Sequence, residues 1–207
     1  MDEDSPKSYR LMVGFTFHIF IVLILISYSI SENVSLHTRI ILWILSLISS
    51  FSMVKTSLTD PGYINSNAFQ VPDEVSSYCS DCGIIKPQYF THCRYCDICV
   101  LECDHHCPWV DNCIGKNNHT YFLIYIISTA VSLCYSLLYF YSLLCETVDW
   151  NFPVLGAVAM IWFLMVDGVL TLLFIVLSIY HVVLTIMGIR SREFVKRLMK
   201  KKVMCEV

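Results

Sequence analysis

Charge is what this sequence has least of. Asp, Glu, Lys and Arg make up only 15% of the 207 residues, and most of them lie outside the long apolar runs. No long basic stretch is present, which argues against nucleic acid as a partner. The net charge of −3 conceals an asymmetry, because an acidic start (Asp2, Glu3, Asp4) offsets a basic end. The first apolar run lacks a small-residue cleavage site, so it reads as a span and not as a removed signal peptide. Cys205 stands third from the end, which excludes a C-terminal prenylation box. What remains is apolar: 56% of residues are hydrophobic and the mean hydropathy is +0.61. Soluble domains run nearer about 45–50% apolar, so the excess points to an integral membrane protein.

Four apolar runs are long enough to matter: Leu11–Ile30, Leu36–Val54, Thr120–Cys145 and Val154 to about Met187. Each is expected to be helical, because hydrocarbon offers backbone groups no other partner. Four spans put both termini and the middle segment on one side. That side then carries every Lys and Arg except Arg39, and the positive-inside rule places it in the cytosol. The expected organisation is a cytosolic N-terminus (1–10), two spans (11–54), a cytosolic segment (55–119), two spans (120–187) and a basic cytosolic tail (188–207). The fold class expected is an all-α integral membrane protein with a small cysteine-rich domain between its second and third helices.

Cysteine is concentrated in that middle segment. Eight of the 11 Cys lie between Cys79 and Cys113. A cytosolic location is reducing, so these thiols are not a disulfide framework. Read as metal donors they run Cys79-x2-Cys82, His92-Cys93-x2-Cys96-x2-Cys99, Cys103, His105-His106-Cys107 and Cys113. Structural zinc takes four Cys or His ligands, so two sites use eight donors. Eleven are present, and three are left over. An iron–sulfur or redox cluster is the competing reading, and the fused His-Cys pairs favour zinc. Spacing alone does not say which donors share an ion or which are spare. Cys107 follows two histidines and precedes Pro108, which makes it a candidate Cys–His nucleophile with Asp104 as the orienting carboxylate.

The stretch HCRYCDICVLECDHHCPWVDNCIGKNNHTYF, with CSDCG upstream, resembles the cysteine-rich domain of the DHHC protein S-acyltransferases (palmitoyltransferases). Asp60-Pro61-Gly62, just after the second span, also matches a motif of that family. The resemblance implies one structural zinc on Cys79, Cys82, His92 and Cys99, and a second on Cys93, Cys96, His106 and Cys113. It implies Cys107 as the acyl-accepting nucleophile, His105 as its base and Asp104 as the orienting carboxylate. Trp109 would stand where the site meets the acyl chain, and Cys103 is a spare thiol that the family does not need. The implied co-substrate is a long-chain acyl-CoA such as palmitoyl-CoA. The implied partners are cytosolic or membrane-associated proteins with juxtamembrane cysteines, at the bilayer of the Golgi or endoplasmic reticulum. A weakly catalytic membrane scaffold and a zinc-binding adaptor are the alternatives.

One departure stands out. Where the family carries Thr-Thr-x-Glu after the fourth span, this chain reads Arg190-Ser191-Arg192-Glu193. The Glu is kept and both threonines are replaced, so the docking of the tail on the site loses its usual side chains. Asp167, deep in the fourth run, is costly in hydrocarbon and needs a function or a polar partner such as a nearby Ser or Tyr. His18 and His181 are expected near span ends as polar anchors. Asn112, Asn117 and Asn118 are expected to satisfy turns.

Overall fold

The computed structural model describes residues 14–16, 18–19, 21–22, 34–64, 76–147 and 154–205. Most of the first expected span, Leu11–Ile30, lies outside them. Four helices are complete: α1 (Leu36–Leu58), α2 (His119–Thr147), α3 (Val154–Ile186) and α4 (Ser191–Cys205). Three segments are long and apolar enough to cross a membrane: Leu36–Leu58, His119–Ser142 and Ile161–Ile186. The chain divides into two compact units, one of residues 18–51 with 123–180 and the other of residues 1–17, 52–122 and 181–207.

The first unit has the inverse of a soluble protein's pattern. Large apolar side chains such as Leu138, Val169, Leu172 and Val176 are exposed, while Ser128, Thr129, Ser132 and Ser136 are buried. Small hydroxyl residues let helices approach closely where lipid provides no hydrophobic drive between them. Their hydroxyls are satisfied locally: Ser128 Oγ donates to the Ile124 carbonyl (2.7 Å) and Ser132 Oγ to that of Ser128 (2.8 Å). Ser49 and Thr129 pair their hydroxyls at 2.7 Å. Asp167 finds the neighbouring serine that its cost in hydrocarbon requires, accepting from Ser136 Oγ at 2.6 Å.

The second unit holds the cysteine-rich segment, and here the all-α expectation needs correction. Residues 76–114 form three antiparallel hairpins: β1 (Ser76–Cys79) with β2 (Ile84–Pro87), β3 (Phe90–Cys93) with β4 (Ile98–Leu101), and β5 (His105–Cys107) with β6 (Asn112–Ile114). Strands this short bury little apolar surface and are marginal alone. They lack the alternating pattern that signals a strand in sequence.

The Asp60-Pro61-Gly62 turn joins this segment to the end of α1. Asp60 Oδ1 accepts the N–H groups of Gly62 and Tyr63, both at 2.8 Å, and Gly62 takes φ 107°, a region open to glycine. The chain then runs beside β4, with Leu101 N bonded to Gly62 O and Ile64 N to Cys99 O. The α1 terminus leaves orphan carbonyls, as every helix end does. The Asn112 amide donates to the carbonyls of Thr56, Ser57 and Thr59 at 2.9–3.1 Å, and Asn118 adds a second donor to Thr56 O. These two asparagines cap a helix that ends more than fifty residues earlier in the chain, a larger task than the turns expected of them.

Candidate metal centres and catalytic site

The three hairpins repeat with a period of fourteen residues. Their first strands end at Cys79, Cys93 and Cys107, and each of these pairs with the residue five further on: Ile84, Ile98 and Asn112. The next tip positions are Cys82, Cys96 and Val110. Then come Gly83, Asp97 and Asp111, all in the left-handed region at φ 67°, 52° and 46°. A C-x-x-C turn of this kind presents two thiols to one ion. The first hairpin supplies Cys79 and Cys82. The second supplies His92 and Cys99, a directly paired cross-strand couple, and all four donors lie within 4.8 Å of one another. The pattern then advances by one hairpin: Cys93 and Cys96 from the second meet His106 and Cys113 from the third. Each cluster therefore takes the tip of one hairpin and the cross-strand pair of the next.

These donor sets fit zinc. With Zn–S bonds of about 2.3 Å, the edges of a tetrahedral site are about 3.8 Å between sulfurs and slightly less to nitrogen. Cys82 Sγ lies 3.7 Å from Cys99 Sγ and 3.2 Å from His92 Nδ1. Cys96 Sγ lies 3.5 Å from Cys113 Sγ and 3.4 Å from His106 Nδ1. Without a cation the crowding divides the thiols: the Cys82 backbone lowers Cys79 and a bond from Cys113 lowers Cys93, whereas burial and the sulfurs of Cys79 and Cys82 push the Cys99 thiol up to about 12. Contacts with Cys103 and Cys93, together with burial, push Cys113 up as well. An ion removes that penalty by accepting the thiolates. The outer nitrogens are supported too. His92 Nε2 faces Asp81 and Asp97 at 3.6 Å, the carboxylate placement that orients metal-bound imidazoles, and Tyr95 stacks on His106.

Three hairpins arranged this way make two sites and leave one unfilled role at each end. At the first hairpin the cross-strand positions are Tyr78 and Ile85, both exposed. At the third, Cys107 keeps the place of the first tip cysteine, but its partner position is the fully buried Val110. Cys107 is thus a thiol in a ligand's position with no second ligand beside it.

A different set of groups surrounds it. The His105 ring hydrogen-bonds both Cys107 and Asp104. Its Nδ1 meets Asp104 Oδ2 at 2.7 Å, which leaves Nε2 for the sulfur. Burial opposes charge on this ring. The carboxylate and the Cys107 sulfur outweigh it and raise His105 to about 9. Asp104 is buried, which by itself disfavours its charge, yet bonds from His105 and Ser191 hold its carboxyl well below the usual range. Ser191 supplies both its backbone N–H (2.6 Å to Oδ1) and its hydroxyl (2.8 Å to Oδ2). The replacement of the two threonines therefore leaves a hydroxyl on the carboxylate, and the tail docks through it. Arg190, the other replacement, pairs with Glu102 at 2.7 Å, which Lys116 also holds.

His181 lies near the end of a span, as expected, but does more than anchor it. Expected as a polar anchor, it is buried with Nδ1 3.8 Å from Asp104 Oδ2, its ring 5.5 Å from that of His105 and edge-on to Phe122. Asp104, His105 and His181 form a third group of close donors, but it contains no thiol, and Asp104 is already engaged by Ser191 and His105. Only a lone His in the last turns of an apolar run signalled it. Trp109 is half-exposed, and Gly14 lies against its backbone so closely that an added Cβ would stand 2.6 Å from its carbonyl carbon. Cys103 is buried among Cys93, Val100 and Cys113.

Fold and site together define a membrane-type chain with two zinc-fitting Cys3His clusters beside a histidine-supported thiol. The family model for the DHHC palmitoyltransferase matches residues 73–198, more than half of the chain, and the chain belongs to that family. Members of this family are acyltransferases. No curated protein matches the chain.

Proposed function

We propose that this protein is a protein S-acyltransferase that moves a long-chain acyl group, palmitoyl foremost, from acyl-CoA to a cysteine of a protein substrate. The observation that carries this reading is the hydrogen-bonded run Ser191–Asp104–His105–Cys107 at the end of the hairpin array. A thiol's ordinary pKa is about 8.5, so a neighbouring imidazole is needed to supply thiolate at neutral pH. His105 Nε2 takes the Cys107 proton, and Asp104 fixes the ring and stabilises its charged form. The thiolate attacks the carbonyl carbon of the acyl-CoA thioester. The C–S bond to CoA breaks, the CoA sulfur leaves with the proton from His105, and the acyl group stays on Cys107. A substrate thiol then gives its proton to His105, attacks the acyl carbon and releases Cys107 as thiolate.

Cys79, Cys82, His92 and Cys99 would hold one zinc and Cys93, Cys96, His106 and Cys113 a second, which would supply folding energy and tie the third hairpin to the second. Four protein ligands leave no coordination position for substrate. Trp109 stands two residues beyond the nucleophile and borders the acyl chain. The membrane keeps that chain in hydrocarbon, where each buried CH2 contributes about 0.8 kcal/mol. Given the four apolar runs, the charge distribution supports both termini and the zinc segment in the cytosol with the domain limits given above; a Golgi or endoplasmic reticulum membrane rests on the family alone.

The test is incubation of the purified protein with clickable palmitoyl-CoA. The expected result is a hydroxylamine-sensitive label that Cys107→Ser abolishes. An unlabelled wild type, or equal labelling of Cys107→Ser, sinks the enzyme reading in favour of a scaffold or adaptor.

A further inference from the structure

Beyond its first residue, α4 takes no part in the donor sets or in acyl transfer, yet its two sides differ. Val195, Leu198 and Met199, at i, i+3 and i+4, share one face, and all three are exposed. The adjoining side is polar: Arg192, Glu193 and Lys196 line a cleft with Gln88 and Tyr89. Glu102 lines the same cleft, where Arg190 and Lys116 hold it. Residues 192–202 contain six Lys or Arg against one acid, Glu193. That acid pairs with Arg197, and Arg192 donates to the His92 carbonyl. The stretch as a whole is strongly cationic.

Position limits what can cover the apolar face. The apolar segment of α3 ends at Ile186. The N–H groups of Gly188 and Ile189 then close that helix on the carbonyls of Thr185 and Leu184, with Gly188 at φ 66°, so α4 is not a continuation of the span. It begins at Ser191. Five residues reach at most about 18 Å, which keeps the start of α4 close to the end of a spanning segment. That start is also fixed, by Ser191 on Asp104 and Arg190 on Glu102. A helix of 15 residues is marginal by itself in water, and burial of its apolar face stabilises it. We propose that α4 lies on the bilayer surface as a binding site for acidic phospholipid. Val195, Leu198 and Met199 enter the boundary between headgroups and acyl chains, and the basic residues of 192–202 attract the negative headgroups. The partner is a lipid and not a free phosphate, because only a lipid offers hydrocarbon beneath the charge.

This rests on α3 as a span and on the cytosolic tail proposed above, where the acidic leaflet lies, and not on acyl transfer. The full chain is placed in lipid nanodiscs of phosphatidylcholine, alone or mixed with phosphatidylserine. A photo-crosslinking benzoylphenylalanine replaces Met199 in one version and Arg197, on the opposite side of the helix, in another. Adducts are identified by mass spectrometry. Position 199 is expected to capture lipid, with a yield at least about fivefold higher when phosphatidylserine is present, the worth of one basic residue near an acidic surface. That excess is expected to vanish at about 1 M salt, where charges are screened within about 3 Å. Position 197 is expected to capture far less lipid. Equal yields from the two lipid mixtures overturn the proposal, and so do equal yields at the two positions. Capture of a second copy of the chain at position 199, in place of lipid, overturns it in favour of a protein contact. The discs carry the acidic lipid in both leaflets, so a reversed topology does not alter the result. Failure of Cys107 to take label sinks acyl transfer and leaves this result untouched.

Discussion

The second and third hairpins are built on one template and put it to opposite uses. Both end their first strand in a His-Cys pair, His92-Cys93 and His106-Cys107, and both turn through a left-handed Asp. Of the three tip positions that differ, the one that changes the donor count is Cys96 against Val110. With Cys96 beside it, Cys93 sits in a four-donor cluster. With Val110 beside it, Cys107 has no thiol to share an ion with and faces His105 instead. The difference teaches that replacing one ligand of this template frees a thiol for the role proposed for Cys107, without a separate scaffold.

The comparison breaks most sharply on exchange of the two cysteines. Cys107→Ser should abolish acyl labelling and leave two zinc per chain. Cys93→Ser should lose the second ion and the fold around it, since structural zinc contributes about 10–16 kcal/mol in small modules. Elemental analysis alongside labelling separates them. The twin histidines give the next contrast. His106→Ala should cost one zinc, whereas His105→Ala should keep both and slow acylation by roughly 10²–10⁴, the usual worth of a general base. Equal zinc loss in both would erase the distinction.

Ser191→Ala should lower the acylation rate about tenfold or somewhat more, because a hydrogen bond to a charged group contributes about 1.5–3 kcal/mol. Ser191→Thr should restore it, and the zinc content of both should match wild type. The smallest effect concerns the shared turn. Asp97→Gly and Asp111→Gly should each stabilise by no more than about 1 kcal/mol, because glycine takes positive φ without steric cost. Unequal shifts in thermal midpoint would show that the two turns are not equivalent.

How much of this was legible in the sequence depends on distance along the chain. The apolar runs announce α1, α2 and α3 by length alone. The donor-rich segment announces metal, and the count of eleven donors announces a surplus. The sharing of ions looked undetermined because each C-x-x-C was read by itself. The fourteen-residue period that relates Cys79, Cys82, His92 and Cys99 to Cys93, Cys96, His106 and Cys113 was present but needed the hairpin register to give it meaning. The strands were illegible because they are only three or four residues long and carry no alternating pattern. Ser191 and His181 were illegible as site residues because they reach Asp104 from more than seventy residues away.

The serial construction has a consequence for how such a module can change in length. The middle hairpin lends its strand pair backward to the preceding tip and its own tip forward to the next strand pair, so the array is open-ended and extends by whole units. Duplicating residues 90–103 would add one hairpin, the four ligands of one more Cys3His set and a further spare thiol, and would leave the terminal hairpin's own sequence intact. The Cys107 thiol stands as the end group of a short polymer: it belongs to the last unit, and its position is set by the number of units behind it.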